Sequence, residues 1–239
     1  MNGLPAAGVS LSASGGRNLS RGFSMIEMAV SLVVVGLMVS GSAAYLGMFR
    51  SGSKLGADAQ LTSLSESVIA FARTRHRLPC PDTAGAGYEA LAGAACPVAT
   101  QVGWFPYLSM GLSQPPAKDR AIYGVYRNPA ADLAASTAPA VVSLASAQAV
   151  SSAYVYVTGD GTTTNGAENC AGNIASNPAF VILAPGEDRS GDGLPVDGIH
   201  STLPATGRCF AAPTRGVDTN FDDRTIAVSS YAVMARINQ

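Results

Sequence analysis

Glu27 is the one charged side chain between Arg21 and Arg50. A carboxylate in so apolar a run is costly in a membrane unless it reaches the interface or meets a positive group, so its natural chemistry is charge pairing. A second acidic pattern is Asp188-Arg189-Ser190-Gly191-Asp192-Gly193. Its oxygen ligands at the first, third and fifth positions and glycine at the sixth match the opening of an EF-hand calcium loop. The twelfth position is Ile199, where that loop needs a bidentate Glu, and Asp197 is expected to substitute from the tenth. Asp188, Ser190, Asp192 and Asp197 are thus the candidate calcium ligands, set against the plainer reading of an acidic turn. Asp218, Asp222 and Asp223 form a further acidic group that either contributes from a distance in sequence or caps turns.

Cys80, Cys96, Cys170 and Cys209 all follow the apolar run. An even set on one side of a membrane fits two disulfides in an oxidising compartment; four thiols also suit zinc, but no pair has C-x-x-C spacing. The expected pairs are Cys80 with Cys96, flanking one insertion, and Cys170 with Cys209, tying a loop to the last segment, although spacing alone does not fix connectivity. His76 and His200 are the only histidines, and G-x-S-x-G, H-E-x-x-H and phosphate-loop motifs are missing from the sequence. A catalytic Cys-His pair competes with the simpler use of the cysteines, so no enzyme is expected.

These residues need elements to position them. From Met28 to Phe49 the chain is uncharged and mostly apolar, about 22 residues that as a helix would extend ~33 Å, enough for a bilayer core of ~30 Å. A membrane span is expected there. Gly36, Ser40 and Ala44 recur along it as a small-residue face suited to close helix packing, or as the glycine and alanine common in such helices. Beyond Arg50, Leu61, Leu64, Val68 and Phe71 form an apolar stripe, with Gln60, Ser63, Ser65 and Glu66 off it, so the helix should continue amphipathically to about Arg75. Arg73, Arg75, His76 and Arg77 then face the partial negative charge of the helix end, and Leu78-Pro79 stops it. No aromatic residues interleave with this basic cluster, and the net charge is −1, so nucleic acid is an unlikely partner.

Ala121–Tyr126, Ala153–Thr158, Ala179–Leu183 and Thr225–Val228 read as short strands, Val141–Leu144 as a weaker one, and Ser229–Ile237 as a last helix. An antiparallel sheet laid across the amphipathic half-helix would bury the stripe. Only 13% of the residues are charged, and Ala, Ser, Gly and Thr dominate the remainder, as in an exported, loop-rich protein.

The Arg21-Gly22-Phe23-Ser24-Met25-Ile26-Glu27 segment, after a polar leader with Arg17 and no acidic residue, resembles the class III signal of type IV pilins and type II secretion pseudopilins. An ordinary secretory signal places its apolar core before the cut, whereas here the apolar run follows it. The plainer alternative is an uncleaved signal anchor. The resemblance implies cleavage by prepilin peptidase between Gly22 and Phe23, N-methylation of Phe23, and a role for Glu27 in assembly. Counting positive charges leaves orientation open, because Arg17 and Arg21 on one side face Arg50 and Lys54 on the other. Many pilins carry a proline midway along this helix; here the neighbourhood offers only Gly41 and Gly47.

A second resemblance is to minor-pilin-like proteins whose long helix ends in an Arg-Leu-Pro-Cys-Pro-Asp turn, here Arg77 to Asp82. Short segments at Gly103–Leu108, Asp119–Arg127, Phe180–Gly186 and Phe221–Asp223 are similar to the same subgroup, while the Ala/Ser-rich stretch from Asn128 to Ser152 has no counterpart. The resemblance implies an α+β pilin-like fold: a leader at 1–22, a membrane-spanning half-helix at 23–50, an amphipathic half at 51–76 and a globular head at 77–239. It implies a minor pilin or pseudopilin, anchored once in the bacterial inner membrane with its head in the periplasm. From there it would be added to a filament by an inner-membrane assembly platform. A type II secretion pseudopilin, or a filament-tip adhesin or DNA-uptake subunit, are the alternatives.

Overall fold

The computed structural model describes residues 25–98, 100–129, 131–135, 150–159, 170 and 174–237, and of residues 37–55 only the helical backbone. Gly22, Phe23 and the expected strand Val141–Leu144 lie outside the described residues. The chain divides into two units, Met1–Ser51 and Gly52–Gln239.

Helix α1 runs Met25–Arg75, with Glu27 in its first turn and Arg73 and Arg75 in its last, each matched to the partial charge at that end. In the first unit the large apolar side chains of Met25, Ile26, Met28, Val30 and Leu32 to Val35 are exposed. Among the described residues no helix is long and apolar enough to cross a membrane. The side chains of the expected span Met28–Phe49 fall within the description only as far as Gly36.

In the second unit α1 buries Leu61, Leu64, Ser65, Val68, Ile69 and Ala72. The stripe therefore includes Ser65, which the sequence reading put outside it, and leaves Phe71 half-buried. Leu64-Ser65 and Val68-Ile69 are adjacent pairs, as a stripe wider than one residue requires. His76 closes the helix in the left-handed region at φ 53, donating its N–H to the Ala72 carbonyl at 2.9 Å. The basic cluster is used locally. Arg77 makes a two-pronged pair with Glu89 at 2.6 and 3.0 Å, and Arg73 donates to the Arg236 carbonyl.

The main sheet consists of β1 (Val102–Trp104), β2 (Ile122–Val125), β7 (Phe180–Ala184) and β9 (Arg224–Val228), in that spatial order and antiparallel throughout. Alternation sends Tyr123, Val125, Phe180, Ile182 and Ala184 into one core with the α1 stripe, Phe105 and Val233. Ile122, Val181 and Leu183 enter a second core with Val155, Val157, Val196, Leu203 and Phe210. Both faces of β2 and β7 are buried, which explains their nearly continuous apolar sequence.

The second core is closed by a smaller sheet of β6 (Ile174–Ser176), β5 (Tyr156–Thr158) and β8 (Cys209–Phe210), in which β5 and β8 run parallel. The expected antiparallel sheet lies across the α1 stripe, but the Ala153–Thr158 strand belongs to the smaller sheet instead. Gly124 sits where the two sheets meet: an added Cβ would lie 2.9 Å from Val181 Cγ1 and 3.1 Å from Phe210 Cε2. A two-residue hairpin pair, β3 (Arg127–Asn128) and β4 (Ala131–Asp132), and a terminal helix α2 (Ser230–Ile237) complete the regular elements.

The Pro79-Cys80-Pro81-Asp82 turn extends the main sheet at its β1 edge. Asp82 and Trp104 exchange both backbone hydrogen bonds, at 2.9 and 2.7 Å. The buried Asp82 carboxylate accepts the N–H groups of Ala84, Gly85 and Gly87. Cys80 is joined to Cys96, and Cys170 to Cys209, with Cα separations of 5.7 and 5.9 Å. The first bond pins this turn and the second pins β8.

Candidate functional site

The loops beyond β7 and before β9 carry the acidic residues singled out in the sequence. Asp188 is committed to its own turn: one carboxylate oxygen accepts the Gly191 N–H at 2.7 Å and the other the Gly193 N–H at 2.9 Å. Gly191 and Gly193 take φ of 70° and 79°, a backbone open to glycine, so that these N–H groups turn inward. Desolvation works to raise the Asp188 pKa, but the N–H groups of Gly193, Gly191 and Asp192 outweigh it and hold the carboxyl below its ordinary value. Ser190 donates its hydroxyl to Asp188, and Asp192 accepts the Leu194 N–H at 2.9 Å. The EF-hand-like opening therefore folds as an acidic turn wired to its own backbone.

Asp197 joins the backbone of this turn and also meets a second acidic pair. Its side chain is fully buried, and Oδ1 accepts the N–H groups of Arg189 and Ser190, each at 3.1 Å. Its neighbours are Asp222 and Asp223, and one ligand atom from each of the three residues lies within 4.8 Å of the other two. The β7–β9 pairing, with Ala184 opposite Arg224, brings the segment after β7 alongside Asp222 and Asp223. Gly186 is the point of closest approach: its N–H donates to Asp223 Oδ1 at 3.1 Å, and an added Cβ would fall 1.7 Å from Asp222 Oδ1.

Asp223 is fully engaged. Besides Gly186, it accepts the Asp197 N–H and His200 Nδ1 on Oδ2, at 2.9 and 2.7 Å. His200 Nε2 accepts the Ala211 N–H at 2.9 Å, so the ring proton sits on Nδ1 and the imidazole is neutral. Burial pushes His200 below its ordinary pKa against the pull of the Asp223 carboxylate. Burial also raises Asp197, opposed by the Ser190 N–H and reinforced by the charge on Asp223. Asp222 Oδ2 pairs with Arg189 Nε at 2.7 Å. Two buried oxygens of this group, Asp197 Oδ2 and Asp222 Oδ1, accept no hydrogen bond among the described residues.

Asp218 stands apart in role, accepting the Asn220 N–H and pairing with Arg215 at 3.2 Å, while Arg215 also lies 3.5 Å over the Phe221 ring. Of the acidic residues proposed from sequence, Asp197, Asp222 and Asp223 are thus brought together, and Asp188, Ser190 and Asp192 stay in their own turn. His200 was missed as a structural element. No motif marks it, since its partners Asp223 and Ala211 come from separate loops.

At the other end of the chain, Glu27 lies exposed in the first turn of α1, and its carbonyl accepts the Ser31 hydroxyl at 2.7 Å. Residues 17–43 match the family described as Prokaryotic N-terminal methylation motif. That match supports the type IV pilin-like and pseudopilin family for this chain, as a subunit of the kind processed by prepilin peptidase. No curated protein and no solved structure matches the chain.

Proposed function

We propose that this chain is a minor pilin or pseudopilin, a structural subunit cleaved between Gly22 and Phe23, methylated on Phe23, and assembled from the bacterial inner membrane into a filament. The observation that carries the reading is the methylation motif at 17–43 together with the position of Glu27 at the start of α1. The exposed apolar residues from Met25 to Val35 support it, because so long an uncovered apolar stretch marks a lipid or subunit contact. The uncharged run continues in sequence to Phe49, and in this reading it is the single membrane anchor, with the disulfide-linked unit in the oxidising periplasm.

Cleavage creates an amine on Phe23. A Phe23 amine from an incoming subunit and the Glu27 carboxylate of one already assembled would pair two charges that are each costly in an apolar core. The partners are therefore other pilin-type subunits, prepilin peptidase and the assembly platform. A type II secretion pseudopilus is the second setting in which the same anchor would serve. Co-expression with prepilin peptidase tests the reading. The chain should shorten only when the peptidase is present, and Gly22→Val should block the change; a chain indifferent to the peptidase would be an uncleaved anchor instead.

A further inference from the structure

We infer that the cleft along the outer edge of β1 binds an extended, acidic peptide segment of a different protein, which pairs with the backbone of Val102 and presents a carboxylate to Arg208. The cleft holds about 540 Å³, with β1 as one wall and the Pro204–Arg208 loop as the other. That lies within the range of about 300–1,000 Å³ found for ligand clefts.

β1 ends the main sheet, and its register decides which groups its outer edge presents. On the inner side Gln101 accepts from the Val125 N–H and Phe105 donates to the Ala121 carbonyl. Gly103, opposite Tyr123, lies midway between them and faces the same way, so Val102 and Trp104 turn their backbone groups outward. Trp104 exchanges both of its bonds with Asp82, as an added antiparallel strand would. A continuing strand would pair next with Val102, but the chain leaves the edge first. It curls away because the Asp82 carboxylate accepts the N–H groups of Ala84, Gly85 and Gly87. The Val102 N–H and carbonyl consequently make no hydrogen bond among the described residues. This edge therefore takes an added segment at Trp104 and offers the place for a further one beside it.

A charge supplies the second, independent observation. Arg208 lines the cleft, is exposed, and has no partner for its guanidinium among the described residues. Asp82, the carboxylate of the cleft wall, is taken up by its three N–H donors and does not neutralise it. The backbone under Arg208 is fixed, since its carbonyl accepts the Tyr156 N–H at 3.0 Å and the next residue, Cys209, is joined to Cys170. A guanidinium held beside an open strand edge selects a segment that carries a carboxylate, because a charge-assisted pair is stronger than a neutral hydrogen bond. Main-chain pairing then supplies the affinity, and the charge supplies the choice of partner.

No described strand of a second copy offers such a segment. The only acidic residue in those strands is Asp132, and Arg127 already holds its carboxylate at 2.7 Å. The occupant is therefore a different protein, and the inference does not rest on the filament reading.

The probe is an acetylated peptide of about six residues, alternating valine and threonine around one aspartate, whose β-branched side chains favour an extended backbone. Titrated to about 2 mM into the full chain in detergent, it should saturate and should slow hydrogen exchange in β1 but not in β9, the opposite edge of the sheet. The asparagine form of the peptide, and Arg208→Gln with the aspartate form, should each weaken binding about fivefold. Methylation of every peptide nitrogen should abolish binding, since strand pairing needs the N–H donors. Arg208 is exposed, so its replacement leaves the fold intact, and the peptide arms need no variant at all. The inference is overturned if the aspartate peptide does not bind, if the methylated peptide binds equally well, or if the protection falls on β9. Equal binding of the aspartate and asparagine forms, or indifference to Arg208→Gln, overturns it too, because the charge would then select nothing. Self-association of the unmodified chain that the peptide reverses would make a second copy the occupant and overturn the assignment to a different protein.

Discussion

His200 Nδ1 donates to Asp223 Oδ2 across 2.7 Å, with both side chains wholly buried. Because Ala211 donates to the opposite ring nitrogen, this imidazole joins three loops at once: its own turn at Gly198–His200, the segment after β8, and the segment before β9. The ring also packs against Phe210 and Phe221, with centroids at 6.1 and 5.3 Å.

His200→Ala should therefore cost about 2–4 kcal/mol, from an unpaired Ala211 N–H, a lost partner of Asp223 and a cavity between the two phenyl rings. Urea denaturation of the two proteins measures it. A change under about 0.5 kcal/mol would mean that the loops are held by other contacts.

Gly186→Ala places a methyl 1.7 Å from Asp222 Oδ1, and backbone or carboxylate must move. We expect destabilisation of about 1–3 kcal/mol. Gly191→Ala has open space around it and only the strain of its φ of 70°, so it should cost less, about 1 kcal/mol. Equal losses in the two variants would show that crowding at Asp222 is unimportant.

The two disulfides close loops of 16 and 39 residues in sequence separation. On a chain-entropy account they stabilise by about 3 and about 4 kcal/mol. Peptide mapping under non-reducing conditions should return Cys80 with Cys96 and Cys170 with Cys209, and a paired Cys→Ala replacement of each bond should lower the denaturation midpoint. Crossed pairs or free thiols would contradict the arrangement of the turn at Pro79–Asp82 and of β8.

Much of this fold was legible locally. β2, β5, β7 and β9 announce themselves as β-branched or aromatic runs, and the α1 stripe as a helical repeat, because each reports its own burial in its own sequence. β1 did not, since Val102-Gly103-Trp104 has a glycine at its centre, needed where the Asp82 carbonyl would come within 2.6 Å of a Cβ. β8 is two residues long and owes its place to a disulfide and a parallel partner. The acidic group was half legible. Asp197 does meet the Asp188 turn, through the Arg189 and Ser190 N–H groups, whereas its other neighbours Asp222 and Asp223 are set by strand pairing far along the chain. Hydrogen bonds from backbone N–H groups, which commit Asp188 to a turn, leave no trace in residue spacing.

Glu27 gives the functional prediction its sharpest variant. Glu27→Leu should be inserted and cleaved normally, because neither step needs the carboxylate, but should be depleted from sheared filaments or secretion complexes by tenfold or more, the equivalent of about 1.4 kcal/mol. Normal incorporation would mean that the carboxylate serves only the positive end of the α1 dipole.

The most direct measurement is the intact mass of the N-terminal peptide from the chain recovered out of membranes that contain prepilin peptidase. The account predicts a peptide that begins at N-methylated Phe23, with Met1 to Gly22 gone. A peptide that retains Gly22, or one that begins at an unmodified residue elsewhere in the apolar run, would contradict the assignment of this chain as a processed filament subunit.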